Sequence, residues 1–391
     1  MSRQERSHMM LAFGGLLSLA AAMGIGRFVY TPILPFMSDG LGLPANDAGL
    51  IASANFLGYL TGALAGAARS LPGNPRHWFL GGLLGSAVTS IVMALTTDLT
   101  VFLLIRFLSG MASAFVLVFS TTLVLERLNA GGHAGLSALH FAGVGIGIAF
   151  SALMIAVLSL YSSDWRYLWV ASGLVTLALF AMAVRLVPPP PDQTASKPAE
   201  NQRSETHDAK LSGSLVRLVA AYGLFGFGYV ITATFVSAIA RSDPSLQSSE
   251  QFVWLIVGLA AAPSVYAWNK VATRTGARKA FALACVLEST GVAMTVVSSM
   301  PALFLLGAGL LGGTFMGITA LGLMEGRRQA QAGGPAAVRQ MLAILTASFG
   351  LGQVAGPWFA GLLHTATGSF EAPSLAAAAA LLIAAALIVR E

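Results

Sequence analysis

The stretch "FLLIRFLSG" at residues 102–110 decides the fold, because a close copy of it, "FLLGAGLLG", returns at residues 304–312. The offset between the copies is 202 residues, and the same offset relates "GIGRF" at residues 24–28 to "GFGYV" at residues 226–230. Two weaker pairs are "LVLER" (123–127) with "GLMEGRR" (322–328), and "FAGVGIG" (141–147) with "SFGLGQVAG" (348–356). The sequence therefore predicts a chain made of two similar halves.

The composition indicates a membrane protein. Of the 391 residues, 56% are hydrophobic and only 10% are charged, whereas a soluble protein carries about 25% charged residues. Apolar runs long enough to cross a bilayer recur along the whole chain. Breaks at charges, prolines and glycines predict twelve spans, near residues 9–36, 48–68, 77–96, 99–125, 134–158, 165–187, 214–239, 250–269, 277–298, 301–325, 338–364 and 371–389.

A polar segment separates the sixth and seventh spans. It reads "PPPPDQTASKPAENQRSETHDAKLSG" at residues 188–213, is rich in proline and has no aromatic residue, which is typical of an unstructured linker. The predicted domains are thus an N-terminal six-helix half at 1–187, a cytoplasmic linker at 188–213 and a C-terminal six-helix half at 214–391. Because six spans separate equivalent positions, both halves have the same orientation.

The distribution of charge predicts the topology. With both termini on the cytoplasmic side, 18 of the 22 basic residues fall in cytoplasmic loops and span ends. The other four are Arg166 and Arg241 in outer loops, and Arg27 and Arg106 inside spans. Topology thus explains the net charge of +6 without a nucleic-acid partner. The single cysteine, Cys285, excludes an internal disulfide or a cysteine-rich metal site. We expect a monomeric, multi-pass protein of a bacterial inner membrane, without cofactor or bound metal.

Two span motifs carry a resemblance to a known family. "GIGRFVYTPILPFM" at residues 24–37 and "YGLFGFGYVITATF" at residues 222–235, together with the twelve spans, the linker and the repeat, resemble the YbfB/YjiJ-type branch of the major facilitator superfamily. The resemblance implies an all-α membrane protein with twelve transmembrane helices in two pseudo-symmetric halves. It also implies a cavity lined by spans 1, 4, 7 and 10 and flanked by spans 2, 5, 8 and 11, with spans 3, 6, 9 and 12 at the periphery.

The sequence departs from the family pattern in two places. The loops after spans 2 and 8 usually contain an aspartate, which is replaced here by Gly66 and Thr273. The Gly-Pro pair associated with antiporters in span 5 is absent, and a Gly-Pro pair stands in span 11 at Gly356 and Pro357. The antiporter label is therefore not carried over.

The two arginines inside spans are the main candidates for a substrate site. A charge at the bilayer centre costs at least about 2.5 kcal/mol, and at 1.5 Å per residue Arg27 and Arg106 lie at a similar depth. A guanidinium presents a planar fork of donors that suits carboxylate or phosphate. The equivalent positions in the second half are Tyr229 and Ala308. The predicted substrate-binding residues are Arg27, Tyr30, Thr31, Asn55, Arg106, Ser109, Ser113, Tyr222, Tyr229 and Gln353.

Each of these predictions has a structural alternative. Arg27 and Arg106 are candidates for gating as well as for substrate contact, and Arg106 is also suited to bonding backbone carbonyls or Tyr30. His140 and Glu288 are the candidates for proton coupling; the alternatives are helix packing for His140 and a protonated acid in a helix interface for Glu288. Charged residues at equivalent inner ends of the spans predict an inner gate closed by salt bridges between the halves; the alternative is a solvated edge. These residues are Glu126, Arg127, Glu325, Arg327 and Arg328.

These features predict a secondary active transporter that moves a small organic solute, an anion or a carboxylate-bearing compound, by alternating access coupled to protons. The sequence contains no Walker A motif that would indicate direct use of ATP. No set of residues with catalytic spacing indicates an enzyme. Two alternatives stay open: an exporter of amphiphilic drugs with the same fold, and a non-transporting membrane sensor.

Overall fold

The computed structural model describes residues 3–68, 71–132, 136–189 and 213–389, with side chains from residue 7 onward. Most of the predicted linker lies outside these residues, so the proposed domain boundaries stay predictions. Within the described ranges all regular secondary structure is helical, with short loops between helices and no strand. The helices are α1 (Arg3–Leu19), α2 (Tyr30–Leu41), α3 (Ala45–Ala67), α4 (Pro75–Met93), α5 (Leu99–Ser120), α6 (Arg127–Ala130), α7 (Ser137–Leu158), α8 (Trp165–Leu186), α9 (Gly213–Ser242), α10 (Glu250–Thr275), α11 (Ala277–Val297), α12 (Pro301–Ala330), α13 (Gly334–Thr367) and α14 (Glu371–Val389).

Ten helical segments in the described ranges are long and apolar enough to cross a membrane. One of them, Pro301–Thr367, is 67 residues long and contains both α12 and α13, which the short 3₁₀ turn Gln331–Gly333 separates. Helix α4 is not among the ten, although it packs between α5 and α8. With these two adjustments the helices match the twelve predicted spans, and span 1 consists of α1 and α2 together.

The outside of the bundle is apolar and its inside holds the polar groups. Large aliphatic side chains such as Leu153, Leu259 and Leu351 are more than half exposed, as expected for a surface that faces lipid. By contrast, Arg27 and Arg106 are buried. This distribution reverses that of a soluble protein and fits the rule that ionisable groups in a membrane face the bundle interior.

The two halves repeat the same helix crossing. A Cβ atom added to Gly110 in α5 would collide with the carbonyl oxygen of Asn55 in α3. The equivalent residue, Gly312 in α12, lies in the same way against the carbonyl oxygen of Val257 in α10. Each residue of the second pair follows its counterpart by the repeat offset of 202. The glycines therefore serve the same close helix contact in both halves.

Equivalent residues of the two halves also meet each other. The hydroxyl of Thr31 donates a hydrogen bond to the carbonyl of Ala233 at 2.7 Å, and Nη1 of Arg241 lies 2.8 Å from a carboxylate oxygen of Asp39. Both pairs are separated by 202 residues. Residues related by a twofold axis can touch only beside that axis, so the pseudo-twofold axis runs between α2 and α9.

Small residues bring the halves together on either side of this axis. In α7, Gly145 packs against the backbone of Ala262 in α10, and in α3, Gly49 packs against the carbonyl of Pro357 in α13. Helices α4 and α8 pair with each other at one side of the molecule, and α11 and α14 pair at the other. A site next to α2 and α9 therefore lies at the centre of the bundle.

Candidate functional site

Span 1 is interrupted at the middle of the molecule. Helix α1 ends in a π-helical turn, Ala20–Ile25, and α2 begins at Tyr30. Between them the amides of Gly26 and Phe28 bond five residues back, at 2.8 and 3.1 Å. Pro32 has no N–H to offer the carbonyl of Phe28, which accepts from the amide of Thr31 at 3.3 Å instead. The carbonyl of Arg27 is thereby left without its ordinary helical donor.

Arg106 supplies the missing donors. From α5, its Nη1 donates to the carbonyl of Gly26 at 3.4 Å and its Nη2 to the carbonyl of Arg27 at 3.1 Å. The hydroxyl of Ser109 also donates to Gly26, at 3.3 Å. Asn55 in α3 in turn donates to the carbonyl of Arg106 at 3.0 Å. Arg106, Ser109 and Asn55 thus form a support for the irregular turn of span 1, whose backbone bonds deviate from the α-helical pattern.

Arg27 has a different environment. Its guanidinium carbon lies 3.9 Å from the ring centroid of Tyr59, 4.7 Å from that of Phe56 and 5.3 Å from that of Phe28. These distances are within the range of cation–π attraction. Nε and Nη2 are buried and have no hydrogen-bond partner. The charge is therefore stabilised by ring faces, while two N–H donors on one side of the guanidinium remain free.

A small cavity joins the two arginines to the second half. It measures about 10 Å³ and is lined by Arg27, Phe28, Tyr30, Thr31, Ala52, Phe56, Arg106, Ala233 and Thr234. The predicted site residues Arg27, Tyr30, Thr31 and Arg106 are thus brought together. Tyr30 lies against Arg106, with the guanidinium carbon 5.1 Å from its ring centroid, and donates its hydroxyl proton to the carbonyl of Ala48 at 2.9 Å. The volume is about that of a single water, so the site is closed in this conformation.

The remaining predicted substrate residues lie around this centre. Tyr229 accepts a hydrogen bond from Nε2 of Gln353 in α13. Tyr222 donates to the carbonyl of Thr319 at 3.0 Å, and Ser113 bonds within its own helix, to the carbonyl of Gly110 at 2.8 Å. Tyr222 and Ser113 are therefore satisfied by neighbouring backbone. Their role as substrate contacts stays a prediction, as does that of every other residue in the set.

The two proton-coupling candidates are buried but lie apart from the arginines' hydrogen bonds. The Nε2 atom of His140 is 3.2 Å from the hydroxyl of Ser120 in α5, and its Nδ1 has no partner. Both carboxyl oxygens of Glu288 in α11 are buried without a partner. Span 9 therefore carries an unpaired acid in its interior.

We name the two ends of the bundle after Asp39 and Glu325. At the Glu325 end, the carboxylate of Glu325 bonds to Arg328 at 2.7 Å and lies 3.9 Å from Arg278, both in its own half. Arg127 donates to the carbonyl of Pro188 at 3.0 Å. Glu126 and Arg327 are exposed. Among the described residues these charges do not pair across the halves in this conformation, and the predicted inner gate is left as a prediction.

At the Asp39 end the halves are joined by an ion cluster. Arg241 donates to Asp39 of the other half and, through Nε and Nη2, to Glu250 of its own half. The guanidinium also lies 4.1 Å from the ring centroid of Phe36. The nearby Asp243 is engaged elsewhere: hydrogen bonds from Ser245 and Ser299 hold its pKa below the usual range.

A larger cavity of about 350 Å³ lies beneath this cluster. Its lining comes from both halves and consists of Pro32, Phe36, Ala152, Ile155, Ala156, Ser159, Ser237, Arg241, Gln247, Glu250, Gln251 and Trp254. The indole of Trp254 separates this space from Phe28, whose ring centroid is 6.3 Å away.

Sequence reasoning missed the aromatic surroundings of Arg27 and the charged cluster at Asp39. Phe56 and Tyr59 are spaced i, i+3 on span 2, which would have placed them on one face. Asp39 and Arg241 carry opposite charges at the repeat offset, and that coincidence was a readable signal for a contact across the axis.

Comparison with known proteins identifies the fold. Residues 19–389 match the model of the family described as "Uncharacterised MFS-type transporter YbfB". No curated protein matches the sequence. A crystal structure of the nucleoside transporter NupG superposes with a TM-score of 0.73 at 15% identity, covering 98% of this chain and 100% of that one. A crystal structure of a point mutant of NupG gives 0.74 at 14%, covering 97% and 98%. The human organic anion transporter MFSD10 (TETRAN) gives 0.66 at 18%, covering 99% and 100%.

Proposed function

We propose, on the premise that this chain belongs to the YbfB family of major facilitator (MFS-type) transporters, that it carries a small organic anion bearing a carboxylate. Membership of that family and the shared fold make it a multi-pass membrane transporter and not an enzyme. The nature of the solute, the coupling ion and the orientation in the membrane are the parts that we propose.

The observation that carries the proposal is the free side of Arg27. Nε and Nη2, its two unpartnered nitrogens, point their N–H bonds in parallel along one edge of the guanidinium. That edge binds the two oxygens of a carboxylate in the bidentate arrangement. By contrast, Nη1 and Nη2 of Arg106 already donate hydrogen bonds to backbone carbonyls. We therefore assign substrate contact to Arg27 and a positioning role to Arg106.

The position of the small cavity supports the proposal of alternating access. Its lining includes Thr31 from the first half and Ala233 and Thr234 from the second. In transporters of this architecture the substrate binds at the interface of the two repeats, near the bilayer midplane. When the halves part, the small cavity can widen to admit a solute.

A binding experiment tests the anion site. Purified full-length protein in detergent is titrated with a panel of carboxylates, primary ammonium compounds and cationic amphiphiles, and ligand binding is read as a rise in thermal stability. We expect carboxylates alone to stabilise the protein. Arg27→Gln should abolish the effect, and Arg27→Lys should weaken it, because lysine keeps the charge but lacks the fork.

The matched control is Arg166→Gln, since Arg166 is an exposed arginine outside the site. It should bind carboxylates as the unmodified protein does. Unchanged carboxylate binding in Arg27→Gln would remove the anion proposal, and selective binding of cationic amphiphiles would favour the exporter alternative.

We extend the proposal to proton coupling through Glu288. An unpaired charge in a membrane interior is expensive, and both oxygens of Glu288 lack a partner, so this acid is suited to take up and release a proton. In proteoliposomes with an imposed pH gradient, Glu288→Gln should leave exchange of carboxylate intact but abolish its response to the gradient. His140→Asn tests the second candidate, and Glu371→Gln, at an exposed acid, is the control. Carboxylate transport that is indifferent to the gradient in the unmodified protein would contradict coupling.

The topology that we propose puts the Asp39 end outside a bacterial inner membrane and both termini in the cytoplasm, in accordance with the positive-inside rule. The only native cysteine, Cys285, is buried, so introduced cysteines can be labelled selectively. An impermeant thiol reagent added to intact cells should label Ser163→Cys, in the loop after α7, and should not label Thr275→Cys at the end of α10. The reverse pattern would invert the topology.

A further inference from the structure

The site of Arg27 is enclosed by aromatic rings to an unusual extent. In the first half, Phe28, Phe56 and Tyr59 surround the guanidinium with centroids at 3.9 to 5.3 Å from its carbon. A ring face attracts the cation through its quadrupole and places no directional demand on the N–H groups. The rings thus keep the charge in place while its carboxylate-binding edge stays free.

A second set of rings faces this site from the other half. Tyr229 in α9 is nearly parallel to Phe315 in α12, with centroids 5.6 Å apart and planes at 6°, and to Phe349 in α13, at 5.8 Å and 2°. Three helices therefore contribute one stack with ring faces aligned.

The two sets meet across the boundary between the halves. The ring of Phe28 lies 6.3 Å from that of Phe315 in an edge-on arrangement. Since the halves must part for a solute to enter the closed site, Phe28 and Phe315 separate in that step. Opening the site thus exposes aromatic surface on both sides of Arg27. Contact of this apolar surface with water is unfavourable.

We propose that the carboxylate taken by Arg27 belongs to an aromatic acid, whose flat ring enters between Phe28 and Phe56 on one side and Phe315 and Tyr229 on the other. This inference rests on the proposed function, because it requires the carboxylate at Arg27. Aromatic pairs gain attraction beyond area burial when they stack or meet edge to face. Aromatic cages often select cations, but this one already holds the charge of Arg27 and therefore repels a second cation.

The experiment compares acids that differ only in ring unsaturation. Benzoate and 2-naphthoate are titrated into purified full-length protein beside their saturated counterparts, cyclohexanecarboxylate and decahydronaphthalene-2-carboxylate, with benzamide as the uncharged ring. We expect each aromatic acid to bind about 5- to 10-fold more tightly than its saturated counterpart, and benzamide not to bind. Because aromatic and saturated acids are compared on the unmodified protein, the result does not depend on whether any variant folds.

Variants then locate the preference. Phe315→Leu should bring the ratio of aromatic to saturated affinity close to one while cyclohexanecarboxylate still binds, and Tyr229→Leu should act in the same direction. Phe252→Leu replaces a ring exposed on the outside of α10 and should leave the ratio unchanged. Equal affinities for aromatic and saturated acids, both dependent on Arg27, would overturn the aromatic class and leave the proposed function standing. If no acid binds, or if all bind equally well to Arg27→Gln, both proposals fall.

Discussion

Spans 1 and 7 stand at equivalent places beside the pseudo-twofold axis, yet one is broken and the other is a continuous helix. Span 7 is α9, which runs for 30 residues from Gly213 to Ser242 without a proline. Span 1 loses regular α-helical hydrogen bonding between Ala20 and Tyr30, through a π-helical turn and the turn that follows it, just before Pro32. The break frees backbone carbonyls that Arg106 must satisfy, and the second half, with Ala308 at that position, has no such need.

The comparison separates two buried arginines that look alike in sequence. Arg106 donates to the backbone carbonyls of Gly26 and Arg27, which supports the positioning role that we propose for it. Arg27 is held beside the break and keeps two free donors, while its counterpart Tyr229 has a hydroxyl bonded to Gln353. Rings from both halves lie near this position, but only the first half contributes a buried charge, Arg27.

The largest effect is expected from making span 1 resemble span 7 at its charged position. In Arg27→Tyr, affinity for a carboxylate should fall about 30-fold or more, because truncating one partner of a buried charge pair costs about 2–5 kcal/mol. The fold should remain, since removing an unpaired buried charge is not costly to stability. Isothermal titration with benzoate and the unfolding temperature measure the two quantities; retained affinity would refute the role of Arg27.

Removing the support of the break should mainly affect stability. Arg106→Leu leaves the carbonyl of Arg27 without a side-chain donor, while Ser109 still donates to that of Gly26. A buried group left unsatisfied costs about 1–3 kcal/mol, so we expect the free energy of unfolding, measured by denaturant titration in detergent, to fall by about that amount. Arg166→Leu, at an exposed site, should change it by less than about 0.5 kcal/mol. A variant of normal stability that fails to bind carboxylates would instead make Arg106 a substrate ligand.

A pair of threonines tests the contact between the two spans. Thr31→Val removes the hydrogen bond to Ala233 across the halves and should cost about 1 kcal/mol of stability. Thr234→Val removes only a bond to Val230 within α9, which joins no two parts of the bundle, so its cost should be smaller. The two variants are compared by thermal unfolding under the same conditions. Equal losses of stability would mean that the hydrogen bond between Thr31 and Ala233 contributes no more than one within a helix.

The smallest effect is expected at the Asp39 end. Exposed ion pairs contribute about 0.2–1 kcal/mol. Asp39→Asn should therefore change the equilibrium between conformations with the two halves together or apart at the Asp39 end by at most about 5-fold. Distances between spin labels on α3 and α13 report that equilibrium. The exchanged variant Asp39→Arg with Arg241→Asp should not restore it fully, because Glu250 remains next to position 241. Full restoration would mean that the pair acts independently of Glu250.

Much of the fold could be predicted from the sequence, because apolar length and charge asymmetry are properties of local segments. The twelve spans, the repeat and the burial of Arg27 and Arg106 are of this kind. Pro32 and Pro35 in the motif at residues 24–37 suggest from sequence a kink or an end of span 1 after them, near its outer mouth. The irregular turn instead precedes Pro32, and α2 continues to Leu41. The irregular turn is defined by which amide each carbonyl accepts from, and the sequence alone does not specify those pairings.

The direction of side chains was harder to predict than their location. Tyr30 and Thr31 follow Arg27 at i+3 and i+4, a spacing that predicts one shared face in a regular α-helix but does not apply across the irregular turn of span 1. They line the same cavity, but Tyr30 lies against Arg106 and Thr31 reaches the second half. Ring stacking such as that of Tyr229 with Phe315 depends on three helices at once, and spacing within one span contains no signal for it.

The contact between Asp39 and Arg241 has a consequence for how such a molecule can arise. In a symmetric dimer of six-span chains, a residue on the axis faces its own copy, and a charge that faces its own copy is repelled. No salt bridge can form from a residue with itself. Only when the two halves have separate coding sequences, as they do in this chain, can the two positions hold different residues, one acidic and one basic. An ion pair at the axis is therefore a bond that two distinct halves make possible and that a symmetric dimer of one chain cannot form.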